Sequence, residues 1–320
     1  MQNNRKIEFF FPGWTKKSIT FTIDDGNVEM DRKFLSIVRP AGIIGTFNLV
    51  TTDRMTSDEY REFYMGYEIA NHCKLHPEAF KDGFVYNPTD DAYDPNTSER
   101  YTQENPIVYK TATDNVFMFN DCKTDIRPRG WSRITDADTY FALSEQSRRE
   151  LSEVFGEGSI KGFVWPYCEQ KNKKLVELLK GAGYSSMRKT GELGGTTGFD
   201  FPKDRMAWTY NATNASLLRI MEEYEALADD GKLKFFSFGV HSVDFERDNN
   251  WNDLQLFADK YGNRPNDYYY ASVSTLFEYE DAVAEIEYAD KKITNPTDKT
   301  VFLSVDGKRV TLSPHSSCTI

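Results

Sequence analysis

The β-prone run Ser18 to Ile23 stops abruptly at Asp24-Asp25-Gly26, two adjacent carboxylates and a glycine. Neighbouring acids repel and are poor strand formers, so the plain use of the triplet is to start a turn. Its other use is at the mouth of an α/β barrel, where strand C-termini present functional side chains. A helical stretch follows at once, Asp31 to Val38, stopped by Pro40 and Gly42. That unit then recurs. A strand at Gly45–Val50 precedes a helix from Ser57 to Tyr64, and a brief strand at Tyr67–Ala70 runs into Asn71-His72. Strand-helix alternation of this kind predicts parallel βα units.

Residues 80–138 break the rhythm with Asp90-Asp91, four prolines and little periodicity. A loop that long inside a compact domain is usually functional or disordered. Its aromatics (Phe84, Tyr86, Tyr93, Tyr101, Trp131) favour an ordered excursion. The alternation resumes with a helix at Leu143–Phe155 and a strand at Lys161–Trp165. A helix carrying Leu175, Val176, Leu178 and Leu179 then ends at Gly181 and Gly183. Strands are expected at Ser185–Lys189, Met206–Tyr210, Lys234–Val240 and Tyr268–Ala271. The helices between them carry Leu217 to Leu227 and Trp251 to Tyr261, and a last helix follows at Thr275 to Ala284. Thr300–Val305 and Arg309–Leu312 flank Asp306-Gly307-Lys308, a hairpin signal. The fold expected is α/β: a distorted (β/α) barrel, TIM-like, of seven or so strands over residues 1–285, with an insertion at 80–138. Residues 286–320 form a small β appendage.

Composition narrows the partners. A net charge of −11 argues against nucleic acid and anionic membrane surfaces, which both want basic patches. An aromatic content of 14% suggests aromatic-lined surfaces as well as core. Cys73, Cys122, Cys168 and Cys318 form no CxxC pair, hence neither a disulfide framework nor a cysteine zinc site. The apolar cluster Ile7–Phe11, broken by Pro12, is too short for a signal segment, and nothing later approaches a membrane span. A cytoplasmic location is the expectation.

Two of the four histidines, His72 and His76, stand four apart. That spacing places both imidazoles on one side of a helical turn, near enough for one metal, with Pro77 ending the turn. Two unrelated surface histidines are the alternative. With an aspartate from a strand end as third ligand, the set leaves open positions for water, as in hydrolytic zinc sites and in non-haem iron oxygenases alike. His241, at the end of the apolar run Phe235–Val240, reads by itself as a packing histidine. Pro166-Tyr167 reads by itself as a strand stop.

In this order the residues resemble the motifs of the NodB-homology polysaccharide deacetylases, a carbohydrate esterase family four-like group. The first motif, Thr-Phe-Asp-Asp-Gly, is similar to Thr22-Ile23-Asp24-Asp25-Gly26. The second, His-(Ser/Thr)-x-x-His, is similar to His72-Cys73-Lys74-Leu75-His76. The third, Arg-x-Pro-Tyr, stands here as Val164-Trp165-Pro166-Tyr167 without its arginine. Val240-His241 carries the last. The fourth, an Asp and Trp that support the acid histidine, has no clear match near Trp208 to Asn214.

The resemblance implies a metal-dependent hydrolase acting on N-acetylated carbohydrate. Asp25, His72 and His76 would hold Zn²⁺ or another divalent metal. Asp24 would be the general base, the Tyr167 backbone N–H an oxyanion donor, and His241 the acid for the leaving amine. Trp165, Arg188 and Trp131 are expected to bind substrate, with Arg188 also the cation beside Asp24 in place of the missing arginine. An amidase of small non-sugar amides and a non-catalytic carbohydrate-binding relative are the alternatives.

Overall fold

The computed structural model describes residues 5–51, 57–79, 92–93, 100–101, 108–110, 116–120, 132–135, 137–168, 172–189, 198–289 and 291–319. In chain order the strands that matter here are β1 (Ile7–Phe10), β2 (Lys17–Asp25), β3 (Thr46–Thr51), β4 (Glu68–Lys74), β5 (Gly162–Val164), β6 (Ser186–Arg188), β7 (Lys234–His241) and β8 (Tyr268–Tyr270). The helices are α1 (Val28–Val38), α2 (Ser57–Phe63), α3 (Ala137–Phe155), α4 (Lys173–Gly181), α5 (Leu217–Glu225), α6 (Ser242–Arg247), α7 (Trp251–Tyr261) and α8 (Val273–Ala284).

Strands β2 to β8 make one parallel sheet in the order β6-β5-β4-β3-β2-β7, with β8 beside the first three residues of β2. Residues 208–212 bridge its two edges. Trp208 pairs with Arg188 on β6, and Ala212 pairs with Phe238 on β7. The curled sheet is thus a distorted (β/α) barrel closed by irregular chain. Met206–Tyr210, expected as a strand, is instead a short 3₁₀ turn at Arg205–Ala207 followed by this crossing. The physical reason is geometric, since the segment runs across from one edge to the other rather than along either.

The period-two alternation of β2 sets the layers. Ile19, Phe21 and Ile23 are fully buried in one cluster with Phe34 and Leu35 of α1 and Phe236 and Phe238 of β7. Phe21 meets Phe34 edge-on at 5.0 Å and Phe47 at 5.3 Å. Each such ring contributes about 1.5–3 kcal/mol through burial. Ser18, Thr20, Thr22 and Asp24 alternate with them and are also buried, which makes the barrel interior polar.

Register brings the strand ends level. Asp24 lies opposite His241 on one side and Asn48 on the other. Val164 lies opposite Arg188, and Phe163 opposite Asn71, one residue before His72. β2 ends in the left-handed region, with Asp25 at φ 77 and Gly26 at φ 74. A Cβ at Gly26 would lie 2.8 Å from the Leu49 side chain, so glycine also fits the space. Asn27 then caps α1, its side chain accepting from Met30 N.

Helix α3 begins at Ala137, earlier than the sequence pattern suggests. Before it, strands at Val108–Lys110, Val116–Asn120 and Ser132–Thr135 form a sheet with Glu78–Ala79. At the C-terminus the expected hairpin is present, with Val301–Val305 against Lys308–Leu312 and Asp306 and Gly307 both at positive φ. β1, from the start of the chain, pairs antiparallel with Val301–Val305. Glu287–Ala289, Lys292–Asn295 and Ser316–Thr319 form a second small sheet. Among the described residues no helix is long and apolar enough to cross a membrane.

Candidate active site

Asp24 closes β2 inside the mouth and is 6% exposed. Its Oδ1 accepts hydrogen bonds from Arg188 Nη2 and from Asn48 Nδ2, the latter over 2.7 Å. Asn48 Nδ2 also donates to Thr22 Oγ1 at 2.7 Å, so β3 holds the carboxylate to its own strand. Burial pushes the Asp24 carboxyl up. The Arg188 guanidinium, with His72 and His241, outweighs this and holds it below the usual carboxylate range. Asp24 therefore stays ionised while almost out of water.

Asp25, the last residue of β2, has a left-handed backbone and a carboxylate open to the mouth. Its side chain is 46% exposed, and Oδ1 lies 3.4 Å from His72 Nε2 and 3.6 Å from His76 Nε2. Burial raises its pKa; the hydrogen bond and charge of His72 more than reverse that, leaving it depressed.

His72 is a β4 residue. A carbonyl can only accept, so the 2.9 Å contact between its Nδ1 and Val164 O places a ring proton on Nδ1 and leaves Nε2 facing Asp25. His76 reaches the same place differently. β4 continues through Lys74, and Cys73, Leu75 and His76 take positive φ of 65°, 63° and 51°. The helical turn expected from the four-residue spacing is absent, and a left-handed turn brings the imidazoles together instead, with ring centroids 4.8 Å apart. Burial, then the neighbouring His72, lowers the His76 pKa to about 4, which keeps it neutral.

Asp25, His72 and His76 offer ligand atoms that all lie within 4.8 Å of one another. One carboxylate oxygen and two imidazole nitrogens, one ring already oriented by a carbonyl, are a donor set that fits a divalent cation with open positions left over.

Tyr167 lies in the short turn Pro166–Cys168 at φ 52, and its ring, 45% exposed, meets the His76 ring edge-on at 4.5 Å. Trp165, expected to bind substrate, is a core residue. It is 2% exposed and clustered with Tyr140, Leu143 and Phe163, because the end of β5 turns it toward the helix layer. Arg188 is 1% exposed. It sits beneath Asp24, with the Tyr210 ring over the guanidinium at 5.3 Å, and does not line a groove. Tyr210 in turn occupies the space left by Gly239, where a Cβ would lie 2.1 Å from the ring. Trp131 falls outside the described residues, as does much of 80–138.

His241 ends β7 and caps α6. Its Nε2 lies 3.7 Å from Asp25 Oδ2, and its Nδ1 lies 3.0 Å from Asp244 Oδ2. Burial alone would depress this imidazole; the Asp244 hydrogen bond, then the charges of Asp24 and Asp25, raise it to about 9. Sequence reading gave no site role to Asn48 or Asp244. Asn48 had a signal, a lone amide in the strand run Thr46–Thr51, and Asp244 stands three residues after the histidine it meets.

Parallel strands that deliver a carboxylate–histidine cluster to their C-terminal ends define a barrel protein with its functional site at that face. The family model for polysaccharide deacetylase matches residues 13–187, more than half of the chain, which therefore belongs to that family. No curated protein matches it by sequence. Among solved structures it is similar to the Xyl-CE4 domain of a multidomain xylanase from the hindgut metagenome of Trinervitermes trinervoides. The identity is 17% and the TM-score 0.43, over 86% of this chain and 95% of that one. It is also similar to the chitin deacetylase of the fungal pathogen Colletotrichum lindemuthianum (14%, TM-score 0.42, 84% and 88%). A family 4 carbohydrate esterase from Streptomyces lividans, solved with acetate, gives 12% and 0.39 over 76% and 86%.

Proposed function

We propose that this protein is a divalent-metal-dependent hydrolase that removes N-acetyl groups from amino-sugar glycans or oligosaccharides, with Zn²⁺ as the metal. The observation that carries the reading is the separation of roles between adjacent carboxylates. Asp25 shares a cluster with His72 and His76, while Asp24 is buried, paired with Arg188 and kept ionised.

Asp25, His72 and His76 would hold the cation, which when bound supplies Lewis acidity and lowers the pKa of a water. Asp24 takes a proton from the attacking water as the oxygen adds to the acetyl carbon. Negative charge then develops on the former carbonyl oxygen, to which the Tyr167 backbone N–H would donate. His241, raised to about 9 and so protonated at neutral pH, gives its Nε2 proton to the nitrogen as the C–N bond breaks. Acetate and a free amine leave.

The test is elemental analysis of purified protein together with acetate release from N-acetylglucosamine oligomers. Near one metal per chain, with release that is lost on chelation and restored by Zn²⁺, is expected. Full metal content in a His72→Ala, His76→Ala double variant would remove the metal assignment. Release from small N-acetyl amides but never from sugars would replace the substrate class.

A further inference from the structure

The leaving-group histidine needs a partner, and residues 208–214, where the family's fourth motif would fall, contain no carboxylate. The structure shows what that segment does instead. Asn211 is committed to the barrel wall, accepting from Ser237 N at 2.9 Å and donating to Gly198 O at 2.6 Å. Asn214 donates to Asp248 Oδ2 at 2.8 Å.

We infer that Asp244, in the first turn of α6, is the positioning residue for His241, supplied from the histidine's own helix in place of a fourth-motif acid. The inference rests on the deacetylase reading. Asp244 Oδ2 accepts twice from one residue, from His241 Nδ1 and from His241 N, each at 3.0 Å. Its Oδ1 accepts from Arg247 Nη1 at 2.6 Å. Arg247 is in turn held by Asp248, through Nε at 2.8 Å and Nη2 at 3.0 Å, and Asp248 by Asn214. The carboxylate is pinned from both ends, so the imidazole plane is pinned with it. Because a carboxylate only accepts, His241 Nδ1 carries a proton, and Nε2 faces Asp25 Oδ2. The capping box at the start of α6 accounts for the bond from the His241 backbone N–H to Asp244 Oδ2. The second bond, to Nδ1, is what a cap does not require.

Asp244→Asn separates the two roles, since an amide oxygen still caps the backbone N–H but the charge is lost. Two readouts decide. In wild-type protein the hydrogen-bonded Nδ1 proton of His241 should give a resonance far downfield of the amides, assigned by its loss in His241→Asn, and absent in Asp244→Asn. In the same variant kcat for acetate release from an N-acetylglucosamine oligomer should fall about 10²-fold with KM within about 2-fold. Hydrolysis of an aryl acetate, whose leaving group needs no proton, should fall by less than about 3-fold. A resonance that survives in Asp244→Asn, one missing from wild type, or equal losses on both substrates would overturn the inference. If wild-type protein releases acetate from no sugar, the deacetylase reading fails by itself. The resonance still decides whether Asp244 orients the ring.

Discussion

At the C-terminal ends of the barrel strands, charge is buried and the backbone is bent out of its ordinary regions. Asp24 and Arg188 form an ion pair with side chains 8% and 1% exposed, and Asp25, Cys73, Leu75, His76 and Tyr167 all have positive φ. The N-terminal ends carry charges under different terms. Lys16 bridges Glu8 and Asp229, and Lys234 bridges Asp200 and Asp230, with acid partners mostly in solvent. Trp14, at φ 69, is a strained residue at that end, packed edge-on against Phe302 and under Arg309. Left-handed conformations cost of order 1–2 kcal/mol per non-glycine residue. Their concentration around one cluster sets the C-terminal face apart from the other.

The largest effect expected is at the mouth. Asp24→Asn should lower kcat by at least about 10³-fold, with metal content nearly unchanged, because an amide of the same volume cannot take a proton. Asp25→Asn should lose the metal instead. Metal analysis beside steady-state kinetics distinguishes them, and similar metal loss in both variants would erase the difference in roles between neighbouring acids.

Arg188→Met comes next. Removing one member of a buried pair leaves an uncompensated charge and costs about 3–5 kcal/mol. Asp24 has a depressed pKa, so its contribution to stability is present above the unfolded carboxylate pKa and fades as pH falls through the folded value. Without the guanidinium that pKa rises. The acid limb of the pH–rate profile should move upward, and acid unfolding should begin at higher pH. An unmoved acid limb would show that Arg188 does not keep Asp24 ionised.

Much of this face was legible in the sequence because a parallel sheet has few ways to end. Ser18–Ile23 followed by Asp24-Asp25-Gly26 marks a strand terminus whichever barrel contains it. Arg188 could be proposed as the cation near Asp24 because its strand follows the one ending at Tyr167, and neighbouring parallel strands open on the same side. Direction was harder. His72 and His76 look helical by spacing, and nothing local announces that Cys73 and Leu75 are left-handed. Trp165 looks like a groove aromatic until the end of β5 turns it into the helix layer. Residues 206–210 look like a strand by composition and instead close the barrel crosswise. Asp244, three positions from His241, was given no role because strand and helix patterns treat it as a surface acid in a first turn.

Asp31 sharpens the comparison from within the same face. It is fully buried on α1, accepting from Tyr64 Oη at 2.6 Å, and has no cation beside it among the described residues. Burial, with the Asp25 charge adding to it, raises its pKa to about 6. The sign is opposite to that of Asp24. Its ionised form is destabilising in the fold, so the cost grows as pH rises from the unfolded carboxylate value through 6 and is constant above. Asp31→Asn keeps an acceptor for Tyr64 and should recover about 2–3 kcal/mol at neutral pH and almost nothing near pH 4. Urea unfolding at a series of pH values reads this, and a difference independent of pH would contradict it.

The smallest effect belongs to the opposite end. Asp229→Asn removes a carboxylate that is 63% exposed and 2.9 Å from Lys16. The lysine, 13% exposed, keeps Glu8 at 3.1 Å, so no charge is left without a partner. An exposed pair with a spare partner contributes within about 0–1 kcal/mol and loses most of that in salt. The variant should therefore unfold within about 1 kcal/mol of wild type, less in high salt, and release acetate at the wild-type rate. A loss as large as that of Arg188→Met would mean that the lower face is held as tightly as the mouth. Burial of charge would then no longer separate the two ends of the barrel.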